Sequence, residues 1–139
     1  MDNFKEVSVK DIAKKIQYGY TGKTIKSGDY NYLRITDIPN QKVDWDSVPI
    51  SDISSESEIE KYKLEPNDIL FARTGATVGK SFLIEEVQNS IFASYLIRIK
   101  PKEIVCPKFL YLFFQSENYW QQIRGHEVGA AQPNKKGKK

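Results

Sequence analysis

Two apolar runs, Ile69-Leu70-Phe71-Ala72 and Phe82-Leu83-Ile84, are joined by Arg73-Thr74-Gly75-Ala76-Thr77-Val78-Gly79-Lys80-Ser81, and this join constrains the chain more than any other stretch. Its ending, Gly-Lys-Ser, imitates a phosphate-binding loop. Such a loop needs glycine, four residues and then Gly-Lys-Ser/Thr, because that length lets backbone N–H groups wrap the phosphates, and it hands over to a helix whose N-terminus meets the anion. Here only three residues separate Gly75 from Gly79, Thr74 stands where the first glycine belongs, and Ser81 runs into a strand-like triplet. The expected structure is strand, glycine-rich turn, strand, with Gly75 and Gly79 supplying positive φ or a bulge. Arg73, Thr74, Thr77, Lys80 and Ser81 all carry groups that hydrogen-bond to phosphate or base edges. The competing reading is a solvated hairpin with no ligand.

A chain of 139 residues, 40% hydrophobic and 12% aromatic, fits one domain with a single core. Its formal net charge of +3 comes from the tail, Lys135-Lys136-Gly137-Lys138-Lys139. Without those four lysines, 17 basic residues face 18 acidic ones, a net of −1. Affinity for nucleic acid therefore has to come from local placement of Lys and Arg. Cys106 is the one cysteine and His126 the one histidine, which excludes an intrachain disulfide and any cysteine-built zinc site. No signal peptide and no apolar run long enough to span a bilayer are visible, so a cytoplasmic protein without membrane contact is expected.

Ser8, Asp11 and the spacing of Val9, Ile12 and Ile16 predict a short helix over 8–17. A loop over 18–29 with three glycines follows, then an alternating strand over 30–38. Ser55-Glu56-Ser57-Glu58 is a capping box opening a helix that runs to Lys63, and Pro66-Asn67-Asp68 is a turn. Strands are expected at 69–72, 82–84 and 91–99. A last helix is expected from Pro107 to about Arg124, with Phe109, Leu112, Phe113, Trp120 and Ile123 as its apolar stripe. Without a βαβ rhythm, the fold class is α+β, with a mixed or mostly antiparallel sheet, flanking helices and long loops.

Catalytic signatures are missing. Asp44-Trp45-Asp46 and Glu85-Glu86 read as solvated faces, no Asp/Glu-x-Lys spacing of a metal-dependent nuclease occurs, and no Pro-Pro-aromatic loop of an adenine methyltransferase is present. Cys106 reads as a helix-entry or core residue and His126 as a surface or cap residue. No enzyme, cofactor or metal is expected.

Four blocks occur in order: Leu33-Arg34-Ile35-Thr36-Asp37-Ile38, Asn67 to Lys80, the aromatic helix Phe109 to Ser116, and Gly129-Ala130-Ala131-Gln132-Pro133-Asn134. Together they resemble a target recognition domain of the specificity subunit of Type I restriction-modification systems. The resemblance covers nearly the whole chain, and residues 1–134 are read as that domain, with 135–139 as a disordered tail. It implies a fold similar to the DNA-reading domain of adenine methyltransferases, and sequence-specific binding to double-stranded DNA, one half of a split target per domain. It also implies that methyltransferase subunits, which hold S-adenosylmethionine, dock on long spacer helices, while separate motor subunits use ATP. Here Asn134 meets the lysine tail where the family has an apolar residue and the spacer helix. The sequence is accordingly read as a lone half, with docking to the methyltransferase left open.

Arg suits guanine through its fork, whereas Lys and hydroxyl groups more often hold phosphates. The DNA-contacting candidates are Arg73, Thr74 and Lys80 in the hairpin, Tyr20, Thr21 and Lys23 in the glycine loop, Arg34 and Thr36 on the first strand, and Ser94 and Tyr95. Against these stand structural readings: Tyr20 at the core edge, Tyr95 in the core, Arg34 paired with a carboxylate, and Gln132 and Asn134 holding backbone in the closing turn. The rival function is a protein-interaction or self-association module, a homodimer docking through Trp45, Tyr62, Tyr119 and Trp120.

Overall fold

Period-two alternation makes Ile69 and Phe71 point one way and Leu70 and Ala72 the other, and all four are buried. A strand apolar on both sides needs a layer on each. The computed structural model describes residues 9–38, 41–73 and 79–121. In chain order these form α1 (Val9–Ile12), β1 (Ala13–Tyr18), β2 (Thr24–Ile25), β3 (Asn31–Leu33), β4 (Ile50–Ser51), α2 (Glu56–Tyr62), β5 (Ile69–Ala72), β6 (Ser81–Leu83), β7 (Ser90–Phe92), β8 (Leu96–Pro101) and α3 (Pro107–Phe114). Short 3₁₀ turns occupy Ile35–Asp37 and Trp45–Ser47.

The α+β expectation holds, with two four-stranded sheets among the described residues. One has the order β1-β8-β5-β6 and the other β2-β4-β3-β7. The first is antiparallel throughout. The second is mixed, because β3 lies parallel to β7. Ile69, Phe71, Ile97 and Ile99 face Leu110 and Phe114 of α3, together with Tyr119. On the opposite side Leu70, Ala72 and Leu96 meet Leu33, Ile38, Val48, Leu64 and Phe92.

Arg98 is the inward residue of β8 on that second side and is 1% exposed. Its Nη1 donates to Asp68 Oδ2 (3.0 Å) and to the Lys63 carbonyl, and its Nη2 donates to Gln17 Oε1 (2.7 Å) and the Lys61 carbonyl (2.9 Å). Phe92 lies under the guanidinium at 4.8 Å. Asp68 Oδ2 also accepts from the Glu65 amide, and Lys100 Nζ bridges Asp68 Oδ1 and Glu65 Oε1 at 2.8 and 2.6 Å. The hydrogen bond from Lys100 holds the Glu65 carboxyl below its ordinary range.

Four sequence expectations need correction. The 8–17 helix stops at Ile12, and Ala13–Tyr18 is a strand. Pairing with β8 and the bond from Arg98 to Gln17 override the local periodicity, leaving Ile16 38% exposed. The 30–38 strand ends at Leu33, where Asp37 accepts from the Arg34 amide and side chain and turns the chain. The 91–99 strand is two strands in different sheets, separated by a turn in which the Leu96 amide bonds to the Ala93 carbonyl. The last helix pauses at Gln115, and helical turns resume over 117–121 with Ser116 Oγ accepting from the Tyr119 amide. Its buried residues are Leu110, Phe114 and Tyr119, while Phe109, Leu112 and Phe113 of the expected stripe are exposed. Other expectations hold: Ser55 caps α2, and Cys106 occupies the N-cap of α3 and is exposed.

Removing one partner of a fully buried ion pair strands the other. Asp68→Ala should lower the unfolding free energy by about 3–5 kcal/mol, read from urea denaturation. The paired replacement Asp68→Leu/Arg98→Met should be less destabilised than the single substitution.

Candidate nucleic-acid interface

The Gly-Lys-Ser segment is a β-hairpin, as its spacing suggests. Leu70 pairs with Phe82 and Phe71 with Ser81, so Lys80 leads into a strand. Gly79 has φ 90 and donates to the Ala72 carbonyl (2.9 Å), while the Ala72 amide donates to the Lys80 carbonyl (2.9 Å). Two residues thus oppose one, a glycine bulge that twists the ribbon. The C-terminal region pins this base: Tyr119 Oη donates to the Gly79 carbonyl (2.8 Å) and Gln115 Nε2 to Ser81 Oγ (2.8 Å). Burial holds the Tyr119 phenol far above its ordinary range.

The same end of the first sheet gathers several candidates. The Arg73 amide bonds to the Tyr95 carbonyl (3.1 Å), and Arg73 Nη1 donates to the Ser94 carbonyl (3.0 Å). The Arg73 guanidinium carbon lies 4.4 Å from the centroid of the Tyr18 ring. Gly19 and Tyr20 bind the same turn through bonds from the Gly19 amide to Leu96 and from the Tyr20 amide to Phe92. A Cβ on Gly19 would stand 2.1 Å from the Ala93 carbonyl oxygen, so only glycine allows this approach. Arg73, Lys80, Ser94, Tyr95 and Tyr20 therefore share one end of the sheet. Among the described residues Arg73 meets a carbonyl and a ring and pairs with no carboxylate.

Tyr95, expected in the core, is 62% exposed, because the turn it occupies ejects it from the strand. Tyr20 is half-buried: its Oη donates to Asp52 Oδ1 (3.2 Å), and its ring packs on Tyr32 and Tyr62. Burial, then the bond to Asp52, pushes its phenol up to about 12. Thr21 and Lys23 are exposed and lead into β2, with the Lys23 carbonyl accepting from the Asp52 amide. Arg34 follows Leu33, whose carbonyl accepts from Ala93, but its fork is taken by Asp37 at 2.9 and 3.1 Å. Thr36 is exposed in the adjoining 3₁₀ turn. Thr74, Gly75, Thr77, His126, Gln132, Asn134 and the lysine tail lie outside the described residues. Among those described, no group of three or more His, Cys, Asp or Glu is placed to hold a metal, and no helix is long and apolar enough to cross a membrane. Tyr18 opens the 18–27 segment that the sequence marks as a place to look for specificity, but nothing there singles it out as a contact, its own signal being slight: an aromatic at a strand end beside a glycine.

Comparison with known proteins is decisive on ancestry. Residues 1–139 match the model of the Type I restriction modification DNA specificity domain. The chain belongs to that family. This specificity domain is 29% identical over 119 residues to the Type I restriction enzyme EcoKI specificity subunit of Escherichia coli K12, covering 81% of this chain and 25% of that subunit. Its fold is similar to the HsdS subunit from Thermoanaerobacter tengcongensis (TM-score 0.59, 11% identity, 78% of this chain and 26% of that one). It is also similar to the Type-I restriction-modification system S subunit from M. genitalium (TM-score 0.53, 12% identity, 88% and 29%). The specificity domain thus spans about a quarter of the length of each of these relatives.

Because the Tyr20 phenol is raised in the folded state, its stabilising contribution is intact below about pH 10 and fades as pH rises towards 12. Thermal midpoints should fall over that window, and Tyr20→Phe should remove part of the fall.

Proposed function

We propose that this specificity domain binds double-stranded DNA sequence-specifically and reads one half of a bipartite target in the major groove, catalysing nothing itself. Methylation and cleavage belong to other subunits of a Type I complex, with methyltransferase subunits and the duplex as its partners and no cofactor of its own. The observation that carries this reading is the gathering of Arg73, Lys80, Ser94 and Tyr95 at one end of the first sheet, where β5 and β6 border the glycine-bearing join. Side chains carried at the end of a sheet can reach base edges in the major groove, where donors and acceptors distinguish all four base pairs. Arg73 supplies a fork for guanine, and Lys80 supplies a charge for phosphate.

Selection from a random duplex library should enrich a short motif. On that motif, Arg73→Ala should cost about 1–3 kcal/mol and relax preference at one position, whereas Lys80→Ala should weaken all sequences alike and reduce the salt slope by about one. Anisotropy titrations at matched salt check both. Failure to enrich any motif would remove the reading.

One observation favours a second reading, self-association between copies of this chain. The four aromatics expected to form its face do not: Tyr119 is buried and Trp45, Tyr62 and Trp120 pack against the core clusters. Instead Phe109, Leu112 and Phe113 of α3 are 71%, 56% and 39% exposed, a contiguous apolar face of the kind that marks docking sites. DNA reading by single copies predicts a sedimentation coefficient that responds to added duplex and not to protein concentration. Concentration-dependent association abolished by Phe109→Ser/Leu112→Ser would favour the second reading.

A further inference from the structure

A reading arginine is only as selective as its orientation, and two contacts at different angles govern that of Arg73. The Ser94 carbonyl accepts from Nη1 in the plane of the guanidinium. The Tyr18 ring sits beside the guanidinium carbon, 4.4 Å from its centroid. One in-plane hydrogen bond and one aromatic contact together restrict the tilt and rotation of a planar group. Nε is enclosed and finds no acceptor among the described residues. Of the five donors, the Nη2 pair and the second Nη1 hydrogen are engaged by no acceptor among the described residues and are left for a ligand. Nη1 and Nη2 share the end of the fork that matches guanine O6 and N7. Tyr18 is itself 44% exposed and stands at the last position of β1, opposite Ile97 of β8. Nothing in the core depends on its hydroxyl, and no other charged group lies against its ring among the described residues.

We infer that Tyr18 is a positioning residue for base reading: its ring holds the Arg73 guanidinium so that the Nη1/Nη2 edge is presented to a guanine. The inference rests on the DNA-reading function proposed above and adds a residue that sets its specificity. The role belongs to the ring and not to the hydroxyl, so Tyr18→Phe preserves it and Tyr18→Leu removes it. Because arginine stacks and forks where lysine does neither, Arg73→Lys abolishes the effect of Tyr18.

The test uses the whole 139-residue chain, with thermal melts to establish that each variant is folded. Affinities are measured for the selected duplex and for a duplex changed at the base pair to which Arg73→Ala is sensitive. Tyr18→Leu should weaken the selected duplex about two- to fivefold, the effect of losing an exposed cation–π contact, and leave the changed duplex unaffected. Tyr18→Phe should match the parent. In the Arg73→Ala background Tyr18→Leu should have no further effect, which is the coupling a double-mutant cycle isolates. Equal loss on both duplexes, or the same loss with Arg73 already absent, would mean that Tyr18 touches DNA on its own account, and the inference falls. An unchanged affinity in Tyr18→Leu also overturns it, while leaving the DNA-reading function in place. If the parent selects no duplex, that function falls and takes this inference with it. Should Tyr18→Leu not fold, Arg73→Lys carries the test with Tyr18→Trp, which must alter affinity in the parent and not in that background, while Tyr18→Phe matches its parent in both.

Discussion

A guanidinium enclosed between two sheets is the constraint on which the rest of this molecule depends. Taking Arg98 out of water is expensive unless its hydrogen bonds are replaced and its charge is matched. Asp68 supplies the charge, and Gln17 with the carbonyls of Lys61 and Lys63 supplies further acceptors for Nη1 and Nη2, while the buried Nε meets none among the described residues. These groups come from β1, the end of α2, and the turn before β5, while Phe92 of the second sheet closes the site from below. Displacing β1, the end of α2 or the turn before β5 takes an acceptor away from the buried arginine. Apolar packing makes the layers adhere, but the buried charge dictates their relative register.

That register reaches the candidate interface. Arg98 pairs with Gln17 on one neighbour and Leu70 on the other, and two residues further along the same strands lie Leu96 and Ala72. At about 3.3 Å per residue, Tyr18 lies one residue from Gln17 and Arg73 three from Leu70, roughly 3 and 10 Å along their strands from the fixed centre. Side chains placed so close to a rigid anchor keep their geometry, which is what base reading requires. Tyr119 and Gln115 fix the other side of the hairpin, so its base is held from both the sheet and the C-terminal helical region.

Much of the fold was legible locally. The Ser55 cap, the positive-φ glycine at Gly79 and the apolar strand Ile69–Ala72 follow from side-chain stereochemistry that acts over a few residues. The failures share one cause. Residues 13–18 continue a helical spacing of apolar side chains, yet become a strand because β8 offers a partner 79 to 88 residues away in sequence. Residues 91–99 read as one largely apolar strand interrupted only by Ser94 and Arg98, yet divide because two sheets compete for them. The phase of α3 was misjudged because several faces of Phe109–Phe114 are apolar, and only the position of the sheet selects Leu110 and Phe114.

By itself the sequence determined the class of the fold, the strand–turn–strand form of the Gly-Lys-Ser segment and the kinship with Type I specificity domains, since these rest on short-range geometry and on blocks of residues in order. Only the tertiary structure decided that Arg98 is buried, that Arg34 is committed to Asp37, that Tyr95 is exposed, and that Tyr18 stands against Arg73. The reason is physical. A lone arginine in a sequence has the same chemistry whether it reads a base, caps a turn or anchors a core, and what separates these roles is which acceptors and rings the fold brings within a few ångströms.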